Sequence, residues 1–132
     1  AMQDILKAWN LDRRNTKLAV DLYYVALVLK RRDVIEEIGR EIGWDEWSAD
    51  SLKRIGTAHQ RVGQIEEALS VYERLIRRAP DMAEAYMTSG QLSAQLGRAY
   101  EARNYFNRAV QIDPNLYDQV QKHLQEMENS AQ

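Results

Sequence analysis

ADSLKRIGTAHQRVGQIEEALSVYERLIRRAPDM at residues 49–82 and AEAYMTSGQLSAQLGRAYEARNYFNRAVQIDPNL at residues 83–116 repeat one pattern at a shift of 34. Seven positions are identical: Ala49/Ala83, Gly56/Gly90, Gly63/Gly97, Glu67/Glu101, Ala68/Ala102, Arg74/Arg108 and Pro80/Pro114. Near-matches such as Leu52 over Tyr86, Val62 over Leu96 and Tyr72 over Phe106 fall where packing would place them. Self-similarity at a period of 20 to 50 residues is the signature of stacked repeats. Within the first copy Ile65, Ala68, Leu69, Tyr72, Leu75 and Ile76 recur at i, i+3, i+4, i+7, i+10 and i+11, one face of an α-helix. Each copy therefore reads as two helices. Gly63 and Gly97 mark the turn inside each pair, and Pro80 and Pro114 stop the second helix. Asp81 followed by Glu84 predicts a capping-box-like start for the next helix.

Glycine inside a helix costs about 1 kcal/mol relative to alanine, so Gly56 and Gly90, in register, call for a reason. The spacing sets them opposite Ala68 and Ala102, as the closest approach between the two helices of a pair. Short side chains on both sides would let the backbones touch.

With these features the chain resembles the tetratricopeptide repeat family. Beside the 34-residue period, a small residue stands at the eighth position (Gly56, Gly90), Ala at the twentieth (Ala68, Ala102), an aromatic at the twenty-fourth (Tyr72, Phe106) and Pro at the thirty-second (Pro80, Pro114). Leu52 departs from the Trp, His59 and Ser93 from the Tyr, and Leu75 from the Ala that the family often carries. The resemblance implies an all-α, right-handed solenoid of antiparallel helix pairs.

The flanks extend this organisation. Residues 117–128 read as a capping helix, with Asn115 as its N-cap and Leu116, Val120, Leu124 and Met127 along one stripe; a half-polar last helix covers the apolar end of a repeat stack. Residues 129–132 are expected to fray. Ahead of the repeats, an offset of 30 aligns Leu22 with Leu52, Val25 with Ile55, Ala26 with Gly56 and Ile35-Glu36-Glu37 with Ile65-Glu66-Glu67. Residues 15–48 thus read as a degenerate pair, Thr16 to Lys30 and Asp33 to Ile42, in which Ile38 stands where Ala68 stands later. Residues 1–14 hold a short helix with Ile5, Leu6 and Trp9 on it; residues 3–12 are expected to cover the Tyr23/Leu27 end of the next helix, within one chain or swapped into a second. Ala1 reads as a cloning remnant before Met2. The organisation expected is one domain: short helix, degenerate pair, repeats 49–82 and 83–116, and cap.

Composition excludes several classes. The 132 residues carry 18 Lys+Arg against 20 Asp+Glu and no Cys, so disulfide scaffolds, cysteine nucleophiles and thiolate metal sites are out. Basic and acidic residues balance in both halves, which argues against nucleic acid. The doublets Arg13-Arg14, Arg31-Arg32 and Arg77-Arg78 are assigned to helix C-termini, where cations complement the dipole. The longest apolar run, Leu22 to Leu29, is far short of the roughly 20 residues of a membrane span. No stretch reads as a signal peptide, and a cytoplasmic location is the expectation. His59 and His123 lie on different helices without carboxylates at ligand spacing, so no metal or cofactor is expected; His59 is assigned to buried packing and His123 to a half-exposed position. Glu36-Glu37 and Glu66-Glu67 open second helices, where acids oppose the dipole. With no nucleophile turn and no phosphate loop, an enzyme has no residue to stand on.

What remains is surface. The family resemblance implies a concave face lined by first helices, at Asp50, Lys53, Thr57, Gln60 and Arg61, then Glu84, Met87, Gln91, Ala94 and Gln95. By the 30-residue offset Tyr23, Leu27, Lys30 and Arg31 join them. A family subgroup grips acidic peptide C-termini through Lys, Asn and Arg; Lys53 fits that clamp, but Thr57 replaces the Asn, so the clamp is not expected. The function expected is a non-enzymatic adaptor holding a peptide or helix of a partner protein. The alternatives are a homo-oligomer assembled through the apolar N-terminal region and a small secretion-type chaperone.

Overall fold

The computed structural model describes residues 2–131; Ala1 and Gln132 lie outside them. Eight α-helices follow one another: α1 (Met2–Leu11), α2 (Thr16–Val28), α3 (Arg32–Glu41), α4 (Ala49–Arg61), α5 (Ile65–Arg78), α6 (Ala83–Gln95), α7 (Ala99–Ile112) and α8 (Tyr117–Ala131). Two 3-10 turns, Trp44–Glu46 and Pro114–Leu116, precede α4 and α8, and the described residues contain no strand. By its contacts the chain forms two compact units that meet at Gln64 and Ile65.

Three turns close in the same way. After α2, α4 and α6 one residue enters the left-handed region: Lys30 at φ 58°, Gly63 at φ 83° and Gly97 at φ 76°. The next amide reaches back five residues in each case, Arg31 to the Ala26 carbonyl (2.8 Å), Gln64 to His59 (2.9 Å) and Arg98 to Ser93 (2.8 Å). This is the Schellman ending, which satisfies carbonyls that a helix end would otherwise leave bare. The turns correct the register of the degenerate pair. Lys30 is the counterpart of Gly63, so the offset is 33, not 30. Tyr23 then occupies the place of Gly56 and Gly90, Gly39 that of Tyr72 and Phe106, and Ile35, rather than Ile38, that of Ala68. With a tyrosine at the crossing position no ring from the second helix can use it, and α3 turns a different face inward, burying Val34 and Ile38.

In the first unit α1 packs on α2 of its own chain. Met2 and Trp9 are buried, whereas Ile5 is half-buried. The Arg13 guanidinium lies 4.5 Å over the Trp9 ring, whose Nε1–H donates to the Arg13 carbonyl at 3.2 Å. Arg13 also donates to Glu37 and Glu41, and Arg14 to Glu46 and the Glu41 carbonyl, so the α1–α2 turn is clasped to α3. Arg31-Arg32 likewise departs from the dipole account: Arg31 is the N-cap residue of α3, held by Asp33 at 2.9 and 3.0 Å, and only Arg77-Arg78 ends a helix. Beside Arg31 the Asp33 carboxyl titrates below its ordinary range, mainly through those hydrogen bonds.

In the second unit Tyr86, Met87, Ala102, Phe106, Ala109 and Val120 form the core. The close approach expected of Gly90 is to the Phe106 ring rather than to Ala102: a Cβ at Gly90 would stand 2.6 Å from Phe106 Cε1. His123 of α8 stacks on the same ring, with centroids 5.4 Å apart and planes 2° from parallel. Two caps differ from expectation. Met82 precedes α6 with no side-chain cap, while the Tyr86 hydroxyl donates to the Pro80 carbonyl at 2.9 Å. Asp113, not Asn115, accepts the amide that opens the turn into α8, and α8 runs on to Ala131 where fraying was expected.

Candidate functional site

α2 and α4 bound a cleft of about 410 Å3. Val20 and Tyr24 form its wall on α2, one helical turn apart; Asp50, Lys53, Thr57 and Arg61 come from α4 at the spacing of one helix face. Thr57 donates to the Lys53 carbonyl at 2.8 Å, a back-bond that holds its hydroxyl close to the helix. Arg54 donates to Asp21 at 2.6 Å and ties the two helices together.

Hydrogen bonds through His59 also join α2 to α4. The Tyr23 hydroxyl and His59 Nε2 are 2.8 Å apart, and His59 Nδ1 lies 2.7 Å from Gln64 Oε1. With Nδ1–H donating to the Gln64 oxygen, Nε2 carries the lone pair that accepts from Tyr23. Burial pushes the Tyr23 phenol up to about 12. His59 is indeed buried, but as a hydrogen-bonded link between α2 and α4 rather than as apolar filling. Ser93, its counterpart in the second repeat, is buried, and its hydroxyl has no hydrogen-bond partner in the structure.

The second unit has its own cleft, of about 580 Å3. Gln91, Ala94 and Gln95 of α6 face His123, Glu126 and Met127 of α8, with Phe106 at its base. Gln91 Nε2 and His123 Nε2 are 3.0 Å apart, and His123 Nδ1 lies 3.7 Å from Glu126. On α7 the Tyr105 phenol is pushed up to about 12, first by burial and then by Glu73, to which it donates at 3.3 Å.

The expected partner-binding residues thus separate. Lys53, Thr57 and Arg61 share the α2–α4 cleft, and Gln91 and Gln95 share the α6–α8 cleft. Gln60 is half-buried and outside the first lining. Tyr23, Leu27 and Met87 are only 7, 6 and 6% exposed, so they are core and offer no free surface. Val20 and Tyr24 were missed because the offset of 30 runs three residues out of register with the observed 33, naming Tyr23 and Leu27 in their place; aligning Lys30 with the turn glycines would have found them. Among the described residues no cluster of three His, Asp or Glu is placed to hold a metal, and no helix is long and apolar enough to cross a membrane.

Helix pairs with recurring αL turns and a ring packed on a helix glycine define a helical repeat protein. The tetratricopeptide repeat family model matches residues 53–117. Solved structures with the same fold include MamA, at TM-score 0.66 and 16% identity over 98% of this chain and 88% of that one. YrrB, described as a TPR protein with an unusual peptide-binding site, superposes at TM-score 0.63 and 19% identity over 95% of this chain and 64% of its own. A tetratricopeptide repeat protein from Parabacteroides merdae superposes at TM-score 0.72 and 17% identity, covering 98% and 53% of the two chains. Among curated proteins, the human protein O-mannosyl-transferase TMTC2 is 35% identical over 60 residues, a stretch equal to 46% of this chain and 7% of that protein. The chain is a tetratricopeptide repeat protein, by sequence over residues 53–117 and by fold over the length these structures cover.

Proposed function

We propose that this chain is a non-enzymatic adaptor that holds a short segment of a partner protein against the open faces of its first helices, with the α2–α4 cleft as the principal seat. The observation that carries the reading is the convergence of Lys53, Thr57 and Arg61 with Tyr24 on one concavity, at positions where the family resemblance expects ligand contacts. Polar groups around an apolar floor are what a peptide site needs: the floor supplies affinity and the polar rim orientation. The likeness to YrrB, a protein named for its peptide-binding site, supports the same reading. The degenerate pair 15–48 acts in this proposal as a true repeat, and a cytoplasmic location belongs to it as well.

Assembly through the N-terminal region is the weaker reading, because Trp9 is already buried by its own chain. A photo-crosslinking residue at Thr57 or Gln91 of the full chain should capture a partner in cells of the native source. The same residue at Glu73 or Asn107, on second helices, should capture none. Capture from the second-helix positions alone would overturn the reading.

A further inference from the structure

The turn between α2 and α3 departs from its two counterparts in what it shows to solvent. Aligned on the left-handed residue, Val28-Leu29-Lys30-Arg31-Arg32 stands where the later pairs carry Arg61-Val62-Gly63-Gln64-Ile65 and Gln95-Leu96-Gly97-Arg98-Ala99. Val62 and Leu96 are half-buried, whereas Val28 and Leu29 are 50 and 54% exposed, side by side at the end of α2. Three cations follow them directly. Arg31 is held by both oxygens of Asp33, but the side chains of Lys30 and Arg32 make no ion pair or hydrogen bond among the described residues. Glu36, one turn into α3, is the next acid, so residues 28–36 hold three cations against two carboxylates. Lys30 also takes φ 58°, an angle at which the other two turns place glycine and avoid the Cβ penalty, so the turn itself gives no reason for a lysine. The amides of the turn already point inward: Leu29 donates to the Val25 carbonyl at 3.0 Å, Lys30 to Leu27 at 3.1 Å and Arg31 to Ala26 at 2.8 Å. Its tip can therefore leave water without stranding these backbone donors.

We infer that this turn seats on an anionic bilayer surface, with Val28 and Leu29 entering the boundary between headgroups and acyl chains and Lys30 and Arg32 at the depth of the lipid phosphates. The turn is no part of the α2–α4 cleft lining, so the inference stands apart from the adaptor reading. An exposed aliphatic pair gains by leaving water, and unpaired cations beside it gain from negative lipid, so both contributions act at one place. Other occupants answer only half of the patch. A nucleic acid would pair the cations but leave the aliphatic pair wet, since bases stack on aromatic rings and guanidinium planes. A second copy seated on the same turn would bring like charges together.

The test uses the full chain and vesicles of phosphatidylcholine, alone or with about one third phosphatidylglycerol, read by co-sedimentation. The anionic vesicles are expected to bind at least tenfold tighter than the neutral ones, and raising the salt from about 0.05 to about 0.5 M should remove most of that difference. Val28→Ser with Leu29→Ser, and separately Lys30→Gly with Arg32→Gln, should each weaken binding tenfold or more. Arg103→Gln with Lys122→Gln removes the same charge from exposed positions on α7 and α8 and should leave binding within about twofold. All the substituted positions are exposed, so unchanged helical circular dichroism separates lost binding from lost fold. Because the chain has no Cys, a dye on Leu29→Cys reports the turn alone: its emission should shift to the blue on anionic vesicles, while the same dye on Asn107→Cys should not shift. Equal binding to neutral vesicles, binding to neither kind, indifference to either double variant at the turn, an equal loss in the Arg103 and Lys122 variant, or an unshifted Leu29 label would overturn the inference. Release from the anionic vesicles by an equal charge of polyglutamate or single-stranded RNA would overturn it as well, assigning the cations to another partner.

Discussion

The Phe106 ring occupies the space that the missing side chain of Gly90 leaves, with Cε1, Cδ1 and Cζ at 2.6, 2.7 and 2.9 Å from where a Cβ would stand. The ring cannot retreat, because it is fully buried and His123 stacks on it. Gly90→Ala is therefore expected to destabilise the protein by about 1 to 3 kcal/mol, even though alanine gains about 1 kcal/mol of helix propensity. Phe106→Leu alone opens a void. Combined with Gly90→Ala it should cost less than the sum of the two single changes, which a double-mutant cycle of denaturant melts would measure. Additive costs would mean that the two residues do not share this space.

The three Schellman turns give a paired prediction. Lys30 adopts φ 58° at a place where Gly63 and Gly97 adopt similar angles without a Cβ penalty. Gly97→Ala should cost about 1 kcal/mol or more, since nothing stands within 4 Å of the added Cβ and only the backbone angle opposes it. Lys30→Gly should move stability the other way, with the relief of left-handed strain set against the added freedom of the unfolded chain. Thermal melts of both variants beside the parent would show the opposed shifts.

Much of this was legible in the sequence, and the failures have physical causes. Period, helix bounds and turn glycines were readable between residues 49 and 116 because two copies confirm each other. Residues 15–48 have one copy, and their turn carries Lys30 instead of glycine, so the signal that fixes register was hidden in a residue that rarely adopts φ above zero. Tyr23 and Met87 were misplaced for a related reason: helical spacing names a face but does not say whether the next helix covers it. The Tyr23–His59 link joins residues 36 apart, and no local pattern encodes it.

Gly39 offers a stabilising change. It lies within α3, exposed, and an added Cβ would meet nothing within 4 Å. Here glycine has no close approach to serve, unlike Gly90. Gly39→Ala should raise stability by about 0.5 to 1 kcal/mol through helix propensity. A melt unchanged or lowered by this substitution would show that the helix gains nothing there.

The Tyr23–His59 link predicts a loss of stability in alkali. Tyr23 titrates near 10 when unfolded and about 12 when folded, because burial disfavours the phenolate. Below pH 10 both states keep the proton and the link contributes in full. Between pH 10 and 12 the unfolded chain sheds its proton while the folded chain holds it, so the unfolded state binds fewer protons and stability falls as pH rises. Two pK units correspond to roughly 2 to 3 kcal/mol at most. Tyr23→Phe removes this titration but also removes the donor to His59 Nε2, at a cost of about 1 to 3 kcal/mol below pH 10. Denaturant melts at pH 9 and pH 11.5 should therefore show the parent losing much of its advantage over Tyr23→Phe. Comparing the two proteins cancels Tyr105, which is common to both. A gap that stays constant across that range would mean that Tyr23 is not buried in its neutral form.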